Sequence, residues 1–482
     1  MKKLIITLSS VALLVASCKK DLTSLNDDPK NPREVPAYSL LTNAQRNLAR
    51  TTSSSNVNLN IFRLITQYWQ ETTYLDESRY DLNTRSIPQG VWTALFRDVL
   101  RDLEEAKTLI PDQVTDEHVR DNQLAIIEIL QVYTYYYLLT TFGDIPYSEA
   151  LEIANVHPVY DDAATIYDDL LSRLDAAVAM IDVSAEGFGT ADIIYGALAN
   201  DPHPDMLHWE KFANSLKLKM GMTIADANAT KAKTVVESAV AAGVFTSNED
   251  NALFRFLSAP PNTNPIWEDL VQSGRKDFVA SSTIVNTLEE LNDPRLDNYF
   301  TVDASGGYSG GDPGRSSNYS TFSKPDETIT TQNFPGVLLD YAEVEFFLAE
   351  AIERGFSVGG TASQHYANAI TASILYWGGT VAEATAYLAQ SSVNYATATG
   401  TYRQKIGEQK WIALYNRGWD AWIEWRRLDY PLLAPAFRAV SEIPLRFTYP
   451  VNEQNYNTAN YTAAAAAIGG DDVETALWWD LF

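Results

Sequence analysis

The residues able to do covalent chemistry are few. Gly307-Tyr308-Ser309-Gly310-Gly311 has the G-x-S-x-G spacing of a serine nucleophile, which a strand must deliver to a sharp turn and a helix must follow. Here Asp312 and Pro313 follow, and His365, the one histidine downstream to act as base, falls inside a helical pattern, so a surface loop is expected. His203 and His208 could pair on a metal, but Pro202 and Pro204 break any helix that would bring both to one face, and no H-E-x-x-H occurs. Asp27-Asp28 and Asp471-Asp472 could gather calcium, yet no spacing resembles an EF-hand loop; caps and turns are the simpler reading. No cofactor is assigned, and a structural calcium ion has no motif behind it. With 62 Asp and Glu, some carboxylates must lie close together, so a glycosidase pair cannot be named from spacing.

Non-covalent chemistry has more to work with, because the chain holds 11 Trp, 26 Tyr and 18 Phe. A sugar stacks its C–H face on an aromatic ring while its hydroxyls bond to Asn, Asp, Gln or Arg. Trp267, Tyr308 and Tyr319 fall in an irregular stretch, and Tyr74, Arg79 and Tyr80 follow a helix ending near Trp69. These seven are the candidate ligand contacts. The run GWDAWIEWRRLDYP instead sets Trp419, Trp422 and Trp425 three apart along one helix face, where packing is the simpler expectation. Arg426 and Arg427 should then cap that helix's C-terminus or pair with carboxylates.

The elements that must position these residues read as mainly helical. From Asp161 to Ile181, Ala164, Tyr167, Leu171, Leu174, Val178 and Ile181 alternate steps of three and four behind an Asp161-Asp162 cap. Similar faces run over 38–48, 91–109, 122–139, 207–225 and 401–428. A helix from Val337 and a second after Gly355–Gly360, with Tyr366, Ala369, Ile370 and Trp377, span about one tetratricopeptide unit, and the helices from Asn122 and Asp161 form another such pair. Stacked pairs leave a curved surface on which loops can be mounted. Residues 245–335, rich in Gly, Ser and Pro, read as long surface loops laid over that scaffold.

The N-terminus fixes the compartment. Lys2 and Lys3, the apolar run Leu4–Val15 and Val15-Ala16-Ser17 before Cys18 make a cleaved export signal over 1–17, and Cys18 sits as in a bacterial lipobox, where the thiol carries a lipid. Residues 18–36 are a polar, proline-bearing linker, leaving 37–482 as one domain. Cys18 is the single cysteine, so disulfides do not hold the fold. The formal charge of −26 becomes −28 once Lys2 and Lys3 leave with the signal, which argues against nucleic acid as a ligand.

Many separate stretches, in order, resemble one family. They are the lipobox at Cys18, LNDDPKNP at 25–32, QYWQETTYLDESRYDL at 67–82, TTFGDIPYSEAL at 140–151, DMLHWEKFANSLKLKMGMTI at 205–224, LLDYAEVEFFLAEAIERG at 338–355, QKWIALYNRGWDAWIEWRRLDYP at 409–431, IPLRFTYPVNEQNYN at 443–457 and GGDDVETALWWD at 469–480. Together they resemble the SusD/RagB family of outer-membrane nutrient-binding lipoproteins of Bacteroidetes, in its SusD-like branch. The acidic residues after Cys18 are similar to that group's surface-export signal. The resemblance implies a mainly α fold of tetratricopeptide-like helix pairs forming a right-handed scaffold under a loop-rich ligand face. It also implies a lipid-anchored protein facing outward at the outer membrane, which captures a glycan or peptide for a SusC-like TonB-dependent transporter and does no catalysis. A secreted glycoside hydrolase or esterase is the competing expectation. Ligand contacts vary across the family, so none of the seven candidates is carried over from it.

Overall fold

In the computed structural model, which describes residues 35–196 and 205–482, Ala37–Phe482 cluster as a single unit made mainly of helices. The export signal, Cys18, most of the linker, Asp27-Asp28 and His203 lie outside the described residues. In chain order the chief elements are α1 (Ala37–Ser53), β1 (Trp69–Glu71), α2 (Ile87–Thr93), α3 (Arg101–Gln113), α4 (Glu117–Phe142), α5 (Ala163–Met180), α6 (Asp205–Thr223), α7 (Ala229–Ala242), β2 (Ala252–Phe254), β3 (Phe278–Ala280), α8 (Ser282–Glu290), β4 (Gly336–Leu339), α9 (Tyr341–Glu353), α10 (Ala362–Tyr376), α11 (Val381–Leu388), α12 (Tyr402–Ala413) and α13 (Gly418–Leu428). A π-helical segment, Ala94–Leu100, joins α2 to α3.

Local signals place the helices. Asp162 accepts from the Thr165 amide at 2.8 Å to open α5, Asp116 accepts from the amides of His118 and Val119 to open α4, and Asp340 accepts from Glu343 at 2.8 Å to open α9. Each satisfies an amide that a helix start leaves open, worth about 1 kcal/mol. Along α5 the middle of the expected stripe, Tyr167, Leu171 and Leu174, is buried, and its ends, Ala164, Val178 and Ile181, are half-buried; Leu170 joins the core beside them. Consecutive helices then fold back on one another as α4 with α5, α6 with α7, and α9 with α10, and α6 also packs against α5 and α9. This is the paired, tetratricopeptide-like stacking that the helix spacing predicts.

Two readings need correction. The run from Val337 is a strand before it is a helix: β4 pairs antiparallel with β2, and the helix begins only at the Asp340 cap. A short apolar run fits a buried strand and a buried helix equally, so periodicity could not separate them. The helix expected over 401–428 is two helices, α12 and α13, broken at Asn416, whose φ is +69°. The break lets Gly418 seat against the backbone of Phe62 and Arg63, where a Cβ would come within 2.5 Å of the Arg63 nitrogen.

The tryptophans of α13 are core. Trp419 stacks on Phe62 with centroids 4.6 Å apart, and Trp422, fully buried, donates to the Pro444 carbonyl at 2.6 Å. Arg427 pairs with Glu350 and Glu424, each at 2.6 Å. Arg426 lies 3.5 Å over the Trp422 ring and donates to the carbonyls of Leu445 and Thr140, so it caps the last turn of α4 rather than of its own helix.

A buried charge cluster ties the stacked pairs to α13. Lys219 of α6 reaches Glu343 of α9 at 3.0 Å and Asp420 of α13, while Arg417 reaches Glu343 at 2.6 Å, Asp420 at 3.0 Å and Asp340 at 3.1 Å. Burial opposes ionisation of Glu343, but Lys219 and then Arg417 outweigh it and hold its carboxyl down at about 2. The tyrosine hydroxyl of Tyr137 in α4 donates to Asp420, so four helices meet on this cluster.

Candidate ligand-binding site

The loop-rich face is organised by a two-stranded ribbon. β1 and β3 pair antiparallel with Trp69 opposite Ala280, Gln70 opposite Val279 and Glu71 opposite Phe278. The Gly- and Ser-rich segment 307–317 hangs on this ribbon. The Gly311 amide donates to Ala280 at 2.8 Å, the Ser282 amide donates to Gly311 at 2.9 Å and the Ser317 amide donates to Thr72 at 3.0 Å. Gln70 closes the other side, accepting from the Gly314 amide at 2.8 Å and donating to the Arg315 carbonyl at 3.0 Å.

The glycines of G-x-S-x-G serve this docking. A Cβ on Gly310 would overlap the Ser281–Ser282 backbone, and one on Gly311 would overlap the Ser317 side chain. No serine triad is assembled. Ser309 donates to Asp303 at 2.7 Å, whereas His365 in α10 has Nδ1 at 2.7 Å from Glu345 and Nε2 at 3.2 Å from the Gly359 carbonyl. Asp471 takes Arg446 at 2.8 Å, and among the described residues no group of three His, Cys, Asp or Glu is arranged to hold a metal ion.

The structure separates the seven aromatic and basic candidates. Trp69 is 2 % exposed: its indole donates to the Tyr415 hydroxyl at 3.1 Å, and Arg63 lies 4.9 Å over its ring. Tyr80 is also 2 % exposed, and its hydroxyl accepts from the Ala436 amide at 3.1 Å. The loop exposure expected of both does not occur, because the ribbon and its neighbours close over them. Trp267 is half-buried in the helical turn Pro265–Trp267, not in a loop. Arg79 is half-buried and donates to the Gly314 carbonyl at 3.0 Å, holding the glycine-rich segment in place. Tyr308 is half-buried with its hydroxyl on Asp297 at 2.9 Å. Tyr319 is half-buried on the same face, and Tyr74 is 71 % exposed.

Tyr74 lines a pocket of about 300 Å³ at the Glu71–Phe278 end of the ribbon, together with Glu71, Thr72, Arg85, Arg275 and Asp277. Of the seven candidates only Tyr74 lines it. The charged lining residues escape sequence reasoning, because they come from two segments about two hundred residues apart with no helical or strand spacing between them.

One pair of carboxyls at the pocket is unusual. Burial, and next the proximity of Glu77, push Glu71 up to about 8. Glu71 accepts from the Ser78 amide at 2.9 Å, and Glu77, fully enclosed, accepts from Arg85 on one oxygen. Among the described residues the second Glu77 oxygen, which is buried, has no hydrogen-bond donor.

Comparison with known proteins agrees with this architecture. Residues 29–450 match the family model for SusD-like proteins, described as starch-binding and associating with the outer membrane. A solved chitin-binding protein shares 25 % identity at a TM-score of 0.78, covering 92 % of this chain and 100 % of its own. A chitin-binding SusD homologue from Flavobacterium johnsoniae aligns at 24 % identity and a TM-score of 0.75, over 91 % and 99 % of the two chains. A SusD homologue from Bacteroides thetaiotaomicron aligns at 24 % and 0.76, over 93 % and 99 %. No curated protein matches the chain. With the family model spanning most of its length and the whole scaffold shared with solved homologues, the chain belongs to the SusD-like family.

Proposed function

We propose that this protein is a binding lipoprotein that captures a glycan on its loop-rich face and passes it to a SusC-like TonB-dependent transporter, without catalysis. The observation that carries this reading is the pocket lined by Tyr74: an exposed aromatic ring beside converging Arg, Asp and Thr side chains, mounted on a ribbon fixed to a rigid helical scaffold. Tyr74 and Tyr319 are the proposed stacking residues, and Arg79 holds the loop between them. The chitin-binding homologue and the family's starch-binding description support a saccharide as ligand. Cys18 is the proposed lipid anchor to the outer surface of the outer membrane. Among the described residues no helix is long and apolar enough to cross a membrane, in keeping with attachment through lipid.

The test is an oligosaccharide screen on the chain from residue 19 onward, read as a shift in unfolding midpoint. A ligand at a hundredfold excess over its Kd stabilises by about 2.7 kcal/mol, which such a screen detects. Stabilisation by peptides alone would transfer the site to peptide capture, and turnover of a polysaccharide would replace binding by hydrolysis. Affinity purification from native membranes without recovery of a TonB-dependent barrel would remove the transporter from the proposal.

A further inference from the structure

The chain carries 62 acidic and 36 basic side chains, yet cations gather around one ring of the loop-rich face. Lys276 Nζ lies 5.8 Å and Lys324 Nζ 5.4 Å from the centroid of Tyr319. Lys276 is exposed; Lys324 and Tyr319 are half-buried. Hydrogen bonds through Thr72 join the segment that carries this ring to the pocket. Thr72 donates from its hydroxyl to the Lys276 carbonyl at 2.8 Å and accepts from the Ser317 amide at 3.0 Å, so residues 72–74, 275–277 and 317–319 form one patch.

Charges nearby are already committed in an uneven way. Arg275 sits 3.7 Å from Asp277, and Arg315 sits 3.8 Å from Asp312, both at the long end of ion pairing and both between exposed or half-buried groups. Asp303 is closed onto Ser305, Gly307 and Ser309, Asp297 holds the Tyr308 hydroxyl, and Asp326 accepts from the Thr328 amide and hydroxyl. Lys324 donates to the Phe322 carbonyl at 2.9 Å, and neither lysine forms an ion pair among the described residues. Two cations, Lys276 and Lys324, therefore stand at one aromatic ring with no carboxylate paired to either among the described residues. On a surface of opposite overall sign, such an island concentrates anions.

We propose that the site takes a sugar chain bearing an anionic substituent, a carboxylate or a sulfate, with a sugar ring on Tyr319 and the anion between Lys276 and Lys324. The inference rests on the glycan-binding reading and names its substrate class. The same ring supplies the stacking surface that a neutral sugar would use, and the two ammonium groups add the charge selection.

Calorimetric titration of the chain from residue 19 onward tests it with four probes: starch and chitin oligosaccharides, an oligogalacturonate and a sulfated galactan oligosaccharide. Tighter binding of either anionic probe, weakening as salt is raised, is the expected result, and the stronger of the two identifies the anion. The Lys276→Gln/Lys324→Gln variant should keep its unfolding midpoint and any neutral-sugar affinity while losing about five- to tenfold for the anionic probe, the worth of two partly exposed ion pairs. Tyr319→Ala should weaken both kinds of ligand. If neutral oligosaccharides bind as tightly as anionic ones, or if the double variant binds the anionic probe unchanged, the inference falls and glycan capture stands. If none of the four probes binds, the glycan reading falls with it.

Discussion

Replacing Glu71 by Gln should change how stability depends on pH. In the folded protein the Glu71 carboxyl keeps its proton up to about 8, because it is buried and faces Glu77; its ordinary value is 4.5. The folded state therefore binds the proton more tightly than the unfolded chain does. The sign follows: this group's contribution is complete below about 4.5 and is lost as pH rises through about 8, after which it stays lost. At about 1.4 kcal/mol per pH unit the interval sets a ceiling of about 5 kcal/mol, and access of water from the pocket that Glu71 lines lowers the realised figure to a few kcal/mol. Gln at position 71 supplies the same geometry without titrating. Its amide donates to the second Glu77 oxygen, and its carbonyl accepts from the Ser78 amide. Urea unfolding followed by tryptophan fluorescence, repeated between pH 5 and pH 9, gives the comparison. Wild type and E71Q should differ in a pH-dependent way, with the variant gaining on the wild type by a few kcal/mol between pH 5 and pH 8 and by nothing more above that. Parallel curves across the range would refute the proton held on Glu71.

Three further outcomes follow from the same geometry. Lys219→Ala should cost about 3–5 kcal/mol by urea unfolding, since Glu343 and Asp420 would be left as buried carboxylates served chiefly by Arg417. Gly310→Ala should cost about 1–3 kcal/mol, and limited proteolysis should show earlier cleavage in 303–325, because the added methyl forces that segment off the Ser281–Ser282 backbone. Tyr74→Ala should leave the unfolding midpoint within about 0.5 kcal/mol of wild type, the ring being 71 % exposed, while weakening oligosaccharide binding by about 1–2 kcal/mol in a calorimetric titration.

The helical scaffold was legible because its information is local. Asp162 sits where a cap is needed, and stripes such as Tyr167, Leu171 and Leu174 repeat at the helical period. The failures occur where a distant neighbour decides. Val337 and Leu339 belong to a strand because residues 252–254 pair with that segment, and α12 parts from α13 because Gly418 must meet Phe62 and Arg63. Likewise nothing in QYWQETTYLDESRY separates the enclosed rings Trp69 and Tyr80 from the exposed ring Tyr74. Burial there depends on Tyr415 and Ala436, each far away in the chain. The pocket charges were invisible for the same reason, while the Trp419–Trp425 run was read correctly because a three-residue spacing on one helix already specifies a packed face.

The way segment 307–317 is fastened has an evolutionary consequence. Three of its main ties, Gly311 to Ala280, Ser282 to Gly311 and Ser317 to Thr72, run between backbone groups and do not depend on the side chains that the segment displays. Mutation at 308 or 315 can therefore exchange one displayed group for another without unfastening the loop, whereas mutation at Gly310 or Gly311 cannot. Such a division between fastening and display lets new ligand preferences be sampled by single substitutions at little risk to the fold, and it puts the freedom to diversify within reach of the pocket.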